Sequence, residues 1–354
     1  MLCVENRPYL FMKNIIELSL KELEEALTAE GQEPFRAKQI FSWIYKKGVL
    51  DFDRMSDLSV DLRDTLKENF TLSGFKIAKK LQSSDGTEKF LFELEDKNLI
   101  EAVSIPAASR VTGCISSQAG CKYACGFCAS GKAGFKRNLT SAEIIEQVLH
   151  LKYDSAAKDL THVVFMGTGE PLDNYDNVLR AVRLINSPDA FNIGARRITI
   201  STCGLIPGIE RLSKEGLQVE LSVSLHAADD KTRDTLVPVN KIYPIPALIA
   251  ACKDYISLTD RQVTFEYILI DGVNSALQNA RDLSIMLGNM HLCKVNLIPA
   301  NPVEEFSIVP PQEAQVLAFR DYLIDQGITA TLRKPRGVDI QGACGQLRLK
   351  NADK

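Results

Sequence analysis

Residues 110–128 read RVTGCISSQAGCKYACGFC, a β-rich run that leads into a loop with three closely spaced cysteines. Cys121, Cys125 and Cys128 stand in a C-x3-C-x2-C pattern. Beyond this stretch, β-rich runs alternate with helical runs, which is typical of repeated β-α units around a parallel sheet. We therefore predict an α/β fold in which the cysteine loop follows the first strand of that sheet.

Six β-rich runs are expected to form the parallel sheet: RVTGCIS, THVVFMG, RRITIST, VELSVSL, VTFEYILI and KVNLIP. Helical runs separate them, beginning with SAEIIEQVLHLKY and ending with ALQNARDLSIMLG. Six units favour a partial (β/α)6 barrel over a complete eightfold barrel. A last helix, QEAQVLAFRDYLIDQG, and the run ITATLR follow, and RKPRGVDIQGACGQL then indicates a loop.

The chain before residue 110 shows two other patterns. Ser19 and Glu22 stand at the capping-box spacing, and QIFSWIYKKG has helical apolar spacing that ends at Gly48, so short helices are expected. Three β-like runs, separated by SSDGT and EDKN, suit a short antiparallel sheet that bridges two domains. We divide the chain into a small helical accessory domain, the bridging sheet, the barrel and a C-terminal segment, at 1–73, 74–106, 107–337 and 338–354.

Composition limits the classes of protein that fit. With 354 residues, 45% of them apolar, the chain can bury a large core. No apolar run approaches the roughly 20 residues of a membrane-spanning helix, and the start lacks the hydrophobic stretch of a secretory signal. We therefore expect a cytoplasmic protein with no membrane partner. A formal charge of -3 argues mildly against a nucleic-acid partner.

The nine cysteines are an odd number, which fits metal binding or catalysis better than a secreted disulfide framework. Three thiolates can hold three irons of a cubane cluster and leave the fourth iron open. The amino and carboxylate groups of S-adenosylmethionine (SAM) could chelate that iron, and an electron from the cluster could then split the sulfonium. A zinc knuckle and a chance group of buried cysteines are the alternatives.

Several segments carry a family resemblance. The cysteine pattern, with Phe127 before the third cysteine, resembles the signature of radical SAM enzymes, and FMGTGEP at 165–171 resembles their GGE element. More specifically, the chain is similar to the RlmN/Cfr family of radical SAM RNA methyltransferases. The similarity spans nearly the whole chain and rests on GCISSQAGCKYACGFCASGKAGFKRNL, MGTGEPL, SLHA, VPVNKIYPI and DIQGACGQL.

The resemblance implies methylation of carbon 2 of an adenine in 23S rRNA and in tRNA, with one 4Fe-4S cluster and two SAM molecules. Glu170-Pro171 favours this branch of the family, while Cfr-like methylation of carbon 8 is one alternative and a non-enzymatic metal-binding module or electron carrier is another. The implied cluster ligands are Cys121, Cys125 and Cys128. The implied SAM contacts are Gly169, Glu170, Ser201, Ser224, Leu225, His226 and Asn301.

Direct methyl transfer from SAM should fail at the adenine carbon, because that carbon is electron-poor. The resemblance implies that the Cys344 thiolate takes a methyl from one SAM, and that a second SAM supplies the radical that activates this methyl for addition to the ring. Glu101 and Cys114 match an acid residue that takes the ring proton and a cysteine that frees the product by closing a disulfide with Cys344. Without the family, buried small cysteines and a solvated glutamate are the ordinary interpretations.

The implied partners are 23S rRNA, tRNA and an electron donor such as flavodoxin, and we expect a monomer. The helical accessory domain is our hypothesis for shape-based RNA recognition. Cys203 departs from the family pattern and is expected to serve packing. Local basic clusters could hold phosphates near the site despite the acidic total charge: Lys132, Lys136 and Arg137; Arg196 and Arg197; Arg333, Lys334 and Arg336.

Overall fold

The chain forms fourteen strands within the residues that the computed structural model describes, which are 12–72, 74–132, 134–157, 159–301, 308–343 and 345–347. In chain order the strands are β1 (Lys13–Asn14), β2 (Phe70–Thr71), β3 (Phe75–Gln82), β4 (Glu88–Leu94), β5 (Leu99–Ala107), β6 (Arg110–Cys114), β7 (Gln118–Ala119), β8 (Arg137–Asn138), β9 (Leu160–Phe165), β10 (Ile198–Thr202), β11 (Glu220–Ser224), β12 (Val263–Leu269), β13 (Cys293–Pro299) and β14 (Thr329–Leu332). Ten of them form one sheet, in the order β14-β13-β12-β11-β10-β9-β6-β5-β4-β3.

Seven neighbouring strands of this sheet, β6 and β9 to β14, run parallel. The six predicted strands are all present, and the run ITATLR adds β14 at the edge, so the parallel part has one strand more than six. Strand β12 is buried along almost its whole length, as expected of a parallel strand that is covered on both faces. The predicted α/β fold with a partial parallel barrel is confirmed.

Helices connect the parallel strands and cover the sheet, and three further helices form the N-terminal part of the described chain. In chain order they are α1 (Leu20–Ala29), α2 (Phe35–Phe41), α3 (Val60–Asn69), α4 (Ala129–Lys132), α5 (Ser141–Tyr153), α6 (Tyr175–Asn186), α7 (Ile206–Leu212), α8 (Asp230–Leu236), α9 (Ile245–Thr259), α10 (Leu277–Leu287) and α11 (Glu313–Asp325). Helix α6 buries Val178, Val182 and Ile185, a spacing that puts them on one apolar face. None of the described helices has the length and apolar character that crossing a bilayer requires.

The N-terminal part is helical, as predicted. Ser19 and Glu22 exchange the two hydrogen bonds of a capping box at the start of α1, over 2.7 and 3.2 Å. Helix α2 continues into a π-helical turn, Ser42–Lys46, and the chain then turns at Gly48, whose φ is +67°. A Cβ at Gly48 would lie 2.5 Å from the ring of Tyr153 in α5, so this turn packs closely against the barrel.

The antiparallel strands expected at 74–106 are present as β3 to β5, but they extend the parallel sheet. The idea of a separate bridging sheet is wrong, because β5 pairs antiparallel with β6. As a result, the middle of β5 lies beside the end of β6, and the start of β5 extends beyond it. Strand β3 forms one edge of the ten-stranded sheet, and β14 forms the other. Most of its residues are exposed, and its pairing with β4 is irregular between Ile77 and Lys79.

Candidate active site

The cysteine loop lies between β7 and β8, which pair antiparallel and close the loop at its base. Gly120 has a φ of +79°, and the carbonyl of Gly134 leaves no room for a Cβ there. The amide of Gly126 donates to the carbonyl of Leu236 over 2.9 Å, which ties the loop to the end of α8. The loop therefore follows β6 at its carboxyl end, as the sequence predicted.

The thiols of this loop influence one another. The pKa of Cys121 is raised to about 12, first by burial and also by the nearby charges of Cys128 and Glu170. Burial raises the pKa of Cys125 well above its usual range, and Cys128 and Cys121 raise it further. The three sulfur atoms thus lie within electrostatic reach of one another. A bound cationic centre would favour their thiolate forms.

The donor set of this loop fits a 4Fe-4S cluster, since each thiolate of such a cluster binds a different iron. Among the described residues, no three His, Cys, Asp or Glu side chains are placed to hold one metal ion.

The FMGTGEP segment packs directly against the residues that follow β6. A Cβ on Gly167 would lie 2.7 Å from the backbone of Ile115, and a Cβ on Gly169 would lie 2.5 Å from the side chain of Gln118. The carbonyl of Thr168 also accepts a hydrogen bond from the amide of Gln118 over 3.2 Å. The two glycines therefore let this segment approach the base of the cysteine loop.

Glu170 is buried and accepts two backbone hydrogen bonds. Its Oε1 accepts from the amide of Leu172 over 3.0 Å, and its Oε2 accepts from the amide of Cys203 over 2.8 Å. Burial raises the pKa of Glu170, although these bonds favour its charged form. The side chains of Cys203 and Thr202 also form hydrogen bonds with this carboxylate. Cys203 therefore packs in the apolar core, as expected, and in addition contacts Glu170.

The other residues expected to contact SAM lie at or after the carboxyl ends of parallel strands. Parallel strands end at the same rim of a barrel, where enzymes of this architecture assemble their sites. The expected SAM contacts at this rim are Ser201 in β10, Ser224 at the end of β11, Leu225 and His226 directly after it, and Asn301 after β13. The ring of Phe127, in the cysteine loop, lies edge-on to the ring of His226, with 4.6 Å between their centres.

His226 is buried in a left-handed backbone conformation, with a φ of +58°. Its Nδ1 accepts from the amide of Ile268 over 3.0 Å, and its carbonyl accepts from the side chain of Asn274 over 2.7 Å. Burial lowers the pKa of His226 to about 3, so the ring is neutral. Because Nδ1 accepts, Nε2 carries the proton and can donate it to a ligand.

Arg233, in α8, is a completely buried residue that the sequence analysis did not single out. Burial lowers its pKa, while Cys203 and Cys125 act against this, so its positive charge reaches the cysteine loop electrostatically. The one sequence signal was its position shortly after SLHA. The guanidinium donates to four oxygens, over 2.7 to 3.0 Å: the carbonyls of Cys203, Ser224 and Leu225 and the side-chain oxygen of Asn240.

Glu101 and Cys114 lie on one face of the sheet. Val103 pairs with Cys114 across β5 and β6, and Glu101 is two residues before Val103, so all three side chains leave the same face. This follows from the reversal of β5, which sets Val103, in the middle of β5, beside Cys114 at the end of β6. Glu101 is buried and forms an ion pair with Lys89 in β4. Both predicted catalytic residues that the structure describes are therefore close in the sheet.

The C-terminal segment lies over the same face. Leu347 packs against Val103 and Cys114. The hydroxyl of Ser130 donates to the carbonyl of Leu347 over 3.1 Å, so the segment also contacts the helix after the cysteine loop. Cys344 itself lies outside the described residues.

The basic clusters are only partly available for phosphates. Arg137 donates two hydrogen bonds of 2.8 Å to the carboxylate of Glu143 and also pairs with Asp96. Its role is therefore structural, because both charges already neutralise the guanidinium. The guanidinium of Arg336 lies 3.9 Å from the carboxylate of Asp85.

Comparisons with known proteins agree with this geometry. A family model described as the ribosomal RNA large subunit methyltransferase N-terminal domain matches residues 13–72, and the radical SAM superfamily model matches residues 115–283. The chain is 46% identical to a probable dual-specificity RNA methyltransferase RlmN of Clostridium novyi, over 95% of this chain and 98% of that protein. It is 45% identical to the protein of the same name from Thermoanaerobacter sp., over 96% and 98%.

A solved structure is also similar along nearly the whole chain. The crystal structure of a radical SAM methyltransferase from Sphaerobacter thermophilus has a TM-score of 0.93 and 45% identity, and the match covers 96% of this chain and 100% of that one. The chain is therefore an enzyme that belongs to the RlmN family of radical SAM RNA methyltransferases.

Proposed function

We propose that this enzyme methylates carbon 2 of an adenine in 23S rRNA and in tRNA. One observation carries the proposal: the C-terminal segment contacts both the face that holds Glu101 and Cys114 and the helix after the cysteine loop. A methyl carrier needs access to a radical source, a base and a second thiol, and we assign these roles to the cluster and SAM at the cysteine loop, to Glu101 and to Cys114. The RNA substrate is supported by the relatives, which are named dual-specificity RNA methyltransferases.

The residues fit the two cofactors that this reaction needs. When bound, the cluster and SAM would supply the methyl group, the electron that cleaves SAM into a hydrogen-abstracting radical, and an acceptor for the electron that later leaves the ring. Cys121, Cys125 and Cys128 would hold the cluster, whose electron would come from a donor such as flavodoxin. The residues proposed to hold SAM are Gly169, Glu170, Ser201, Ser224, Leu225, His226 and Asn301.

The chain's own residues carry the remaining steps. The Cys344 thiolate receives the methyl and, once the methyl has lost a hydrogen atom, presents its carbon to the adenine ring. That carbon forms a C–C bond with the ring, which leaves one unpaired electron on the adduct. The carboxylate of Glu101 then accepts the ring proton; the electron pair of the broken C–H bond stays in the ring, and the unpaired electron leaves it, so the ring becomes aromatic again. Finally, the Cys114 thiolate attacks the Cys344 sulfur; the S–C bond breaks, its pair stays on the methylene carbon, and that carbon takes up a proton as the product methyl.

RNA recognition is proposed to involve the helical domain at 1–73, while the barrel and the final segment at 338–354 supply the chemistry. A buried adenine would have to leave its stack to reach the barrel rim, at a cost of a few kcal/mol.

The test is anaerobic turnover with methyl-labelled SAM and an RNA substrate, followed by nucleoside mapping. We expect 5'-deoxyadenosine and a methyl group on adenine carbon 2. A methyl on carbon 8 would favour Cfr-like regiochemistry, and a purified protein that holds zinc without a redox-active cluster would refute the proposal. Cys344→Ala should keep the cluster and abolish RNA methylation, so a variant that still methylates would refute the carrier role.

A further inference from the structure

Lys89 and Glu101 form an ion pair that is almost completely buried. Nζ of Lys89 lies 3.0 Å from Oε1 of Glu101, and the two side chains are only 8% and 4% exposed. Burying a charge is costly unless an opposite charge compensates it, so each of these residues depends on the other. A buried glutamate without a cation would favour its neutral form, which cannot accept a proton.

The sheet sets the two residues on the face that we assign to the chemistry. Leu91 of β4 pairs with Glu101 of β5, and Lys89 pairs with Val103. Lys89 is therefore the diagonal neighbour of Glu101 on the same face. Val103 pairs in turn with Cys114, so this face holds the ammonium, the carboxylate and the proposed second thiol.

Lys89 also contacts the C-terminal segment. Its Nζ donates to the carbonyl of Gln341 over 3.2 Å, three residues before Cys344. The segment has other attachments to the turn between β3 and β4: Ser83 donates to Asp339 over 2.6 Å, and the amide of Gly337 donates to Asp85 over 3.0 Å. The loss of Lys89 would therefore not release the segment by itself.

We propose that Lys89 is a positioning residue for the removal of the ring proton: its ammonium holds Glu101 as a carboxylate beside the segment that leads to Cys344. The inference rests on the proposed function. In the step concerned, the ring C–H bond breaks and an O–H bond forms on Glu101. Lys89 keeps its own protons throughout.

The experiment follows separate steps of the reaction in Lys89→Met. In the first turnover, we expect 5'-deoxyadenosine formation and methylation of Cys344 to stay within about twofold of the unaltered chain, because neither needs a general base on the ring. Release of methylated adenine should fall at least about tenfold, and a protein–RNA adduct should accumulate, as in Glu101→Gln. Lys80→Met is the matched control, because Lys80 pairs with the buried Glu88 of the same sheet over 2.8 Å, and Glu88 lies on the opposite face from Lys89.

The double variant Lys89→Met/Glu101→Gln separates positioning from a general structural effect. It leaves no unpaired charge, so it should fold even where Lys89→Met does not. If Lys89 acts through Glu101, the double variant should release product as slowly as Glu101→Gln and no more slowly. An additional, additive loss would overturn the proposal, and so would Lys89→Met with product release at the unaltered rate. Failure of the unaltered chain to cleave SAM would instead refute the proposed function itself, and it is seen before any variant is made.

Discussion

The amide of Ala129 donates a hydrogen bond to the carbonyl of Gly345 over 2.9 Å. Ala129 directly follows the third cysteine of the loop, and Gly345 directly follows Cys344. One backbone hydrogen bond therefore joins the proposed cluster ligands to the segment of the proposed methyl carrier. Because main-chain atoms make this contact, its geometry depends on backbone conformation at both ends.

Gly345→Ala should disturb this junction. Gly345 has a φ of +81°, and a Cβ there would lie 2.9 Å from the carbonyl oxygen of Phe127. We expect a local cost of about 1–3 kcal/mol and a clear loss of RNA methylation, with the iron content unchanged. Methylation assays and iron analysis measure the two effects. Gly272→Ala is the control, since Gly272 has a φ of +69° but open space around it. Equal losses of RNA methylation in the two variants would contradict the prediction.

Arg233→Met should destabilise the barrel rim. The substitution removes the donor of four buried hydrogen bonds, and unsatisfied buried acceptors make the expected loss about 3 kcal/mol or more. Urea unfolding measures the free energy of unfolding. Arg211→Met removes the half-exposed pair with Asp176 and should cost less than about 0.5 kcal/mol. Similar losses in the two variants would show that the buried contacts contribute little.

The free energy of unfolding should fall as pH rises above about 6.5. Burial alone would lower the pKa of His150, but the nearby carboxylate of Glu146 and the hydrogen bond to Asp154 outweigh it and raise the pKa. The folded chain then binds the proton more tightly than the unfolded chain. This stability is fully present below the ordinary value of about 6.5 and is lost as pH rises through the raised pKa. Urea unfolding at several pH values should show the fall, and His150→Gln should reduce it; an unchanged slope in the variant would contradict this assignment.

Cys125→Ser should remove the cluster without unfolding the chain. A serine oxygen is a poorer iron ligand than a thiolate, so anaerobically reconstituted protein should bind less iron and form no 5'-deoxyadenosine. Cys293→Ser is the control, because Cys293 is half-buried outside the loop and donates to the carbonyl of Met290. A Cys125 variant with full iron content and normal SAM cleavage would show that the loop does not hold the cluster.

The parallel strands and the first helices could be predicted because their signals are local. A run such as VTFEYILI is rich in β-branched and aromatic residues, and Ser19 with Glu22 fixes a helix start within four residues. The union of β5 with β6 could not be predicted in this way. It depends on pairing between segments, and sequence periodicity indicates which face of a strand is buried but not which strand lies beside it.

Lys89 and Arg233 were missed for a related reason. Charged residues in a sequence usually indicate solvent, and only the cross-strand register brings Glu101 to Lys89. Arg137 shows the opposite error: its place after the cysteine loop suggested a phosphate ligand, yet Glu143 and Asp96 neutralise it. The residues that support the family's site residues became visible only in the structure.

The outer edge of the sheet has a consequence for how the protein behaves in solution. A long free strand edge invites another molecule to add a strand, which begins aggregation. Strand β3 carries Lys76, Lys79 and Lys80, and its pairing is irregular near Lys79. At the opposite edge, β14 has only four residues. The like charges of β3, its irregular pairing and the shortness of β14 all oppose pairing with a strand of another molecule. A ten-stranded sheet can therefore remain dispersed at high concentration.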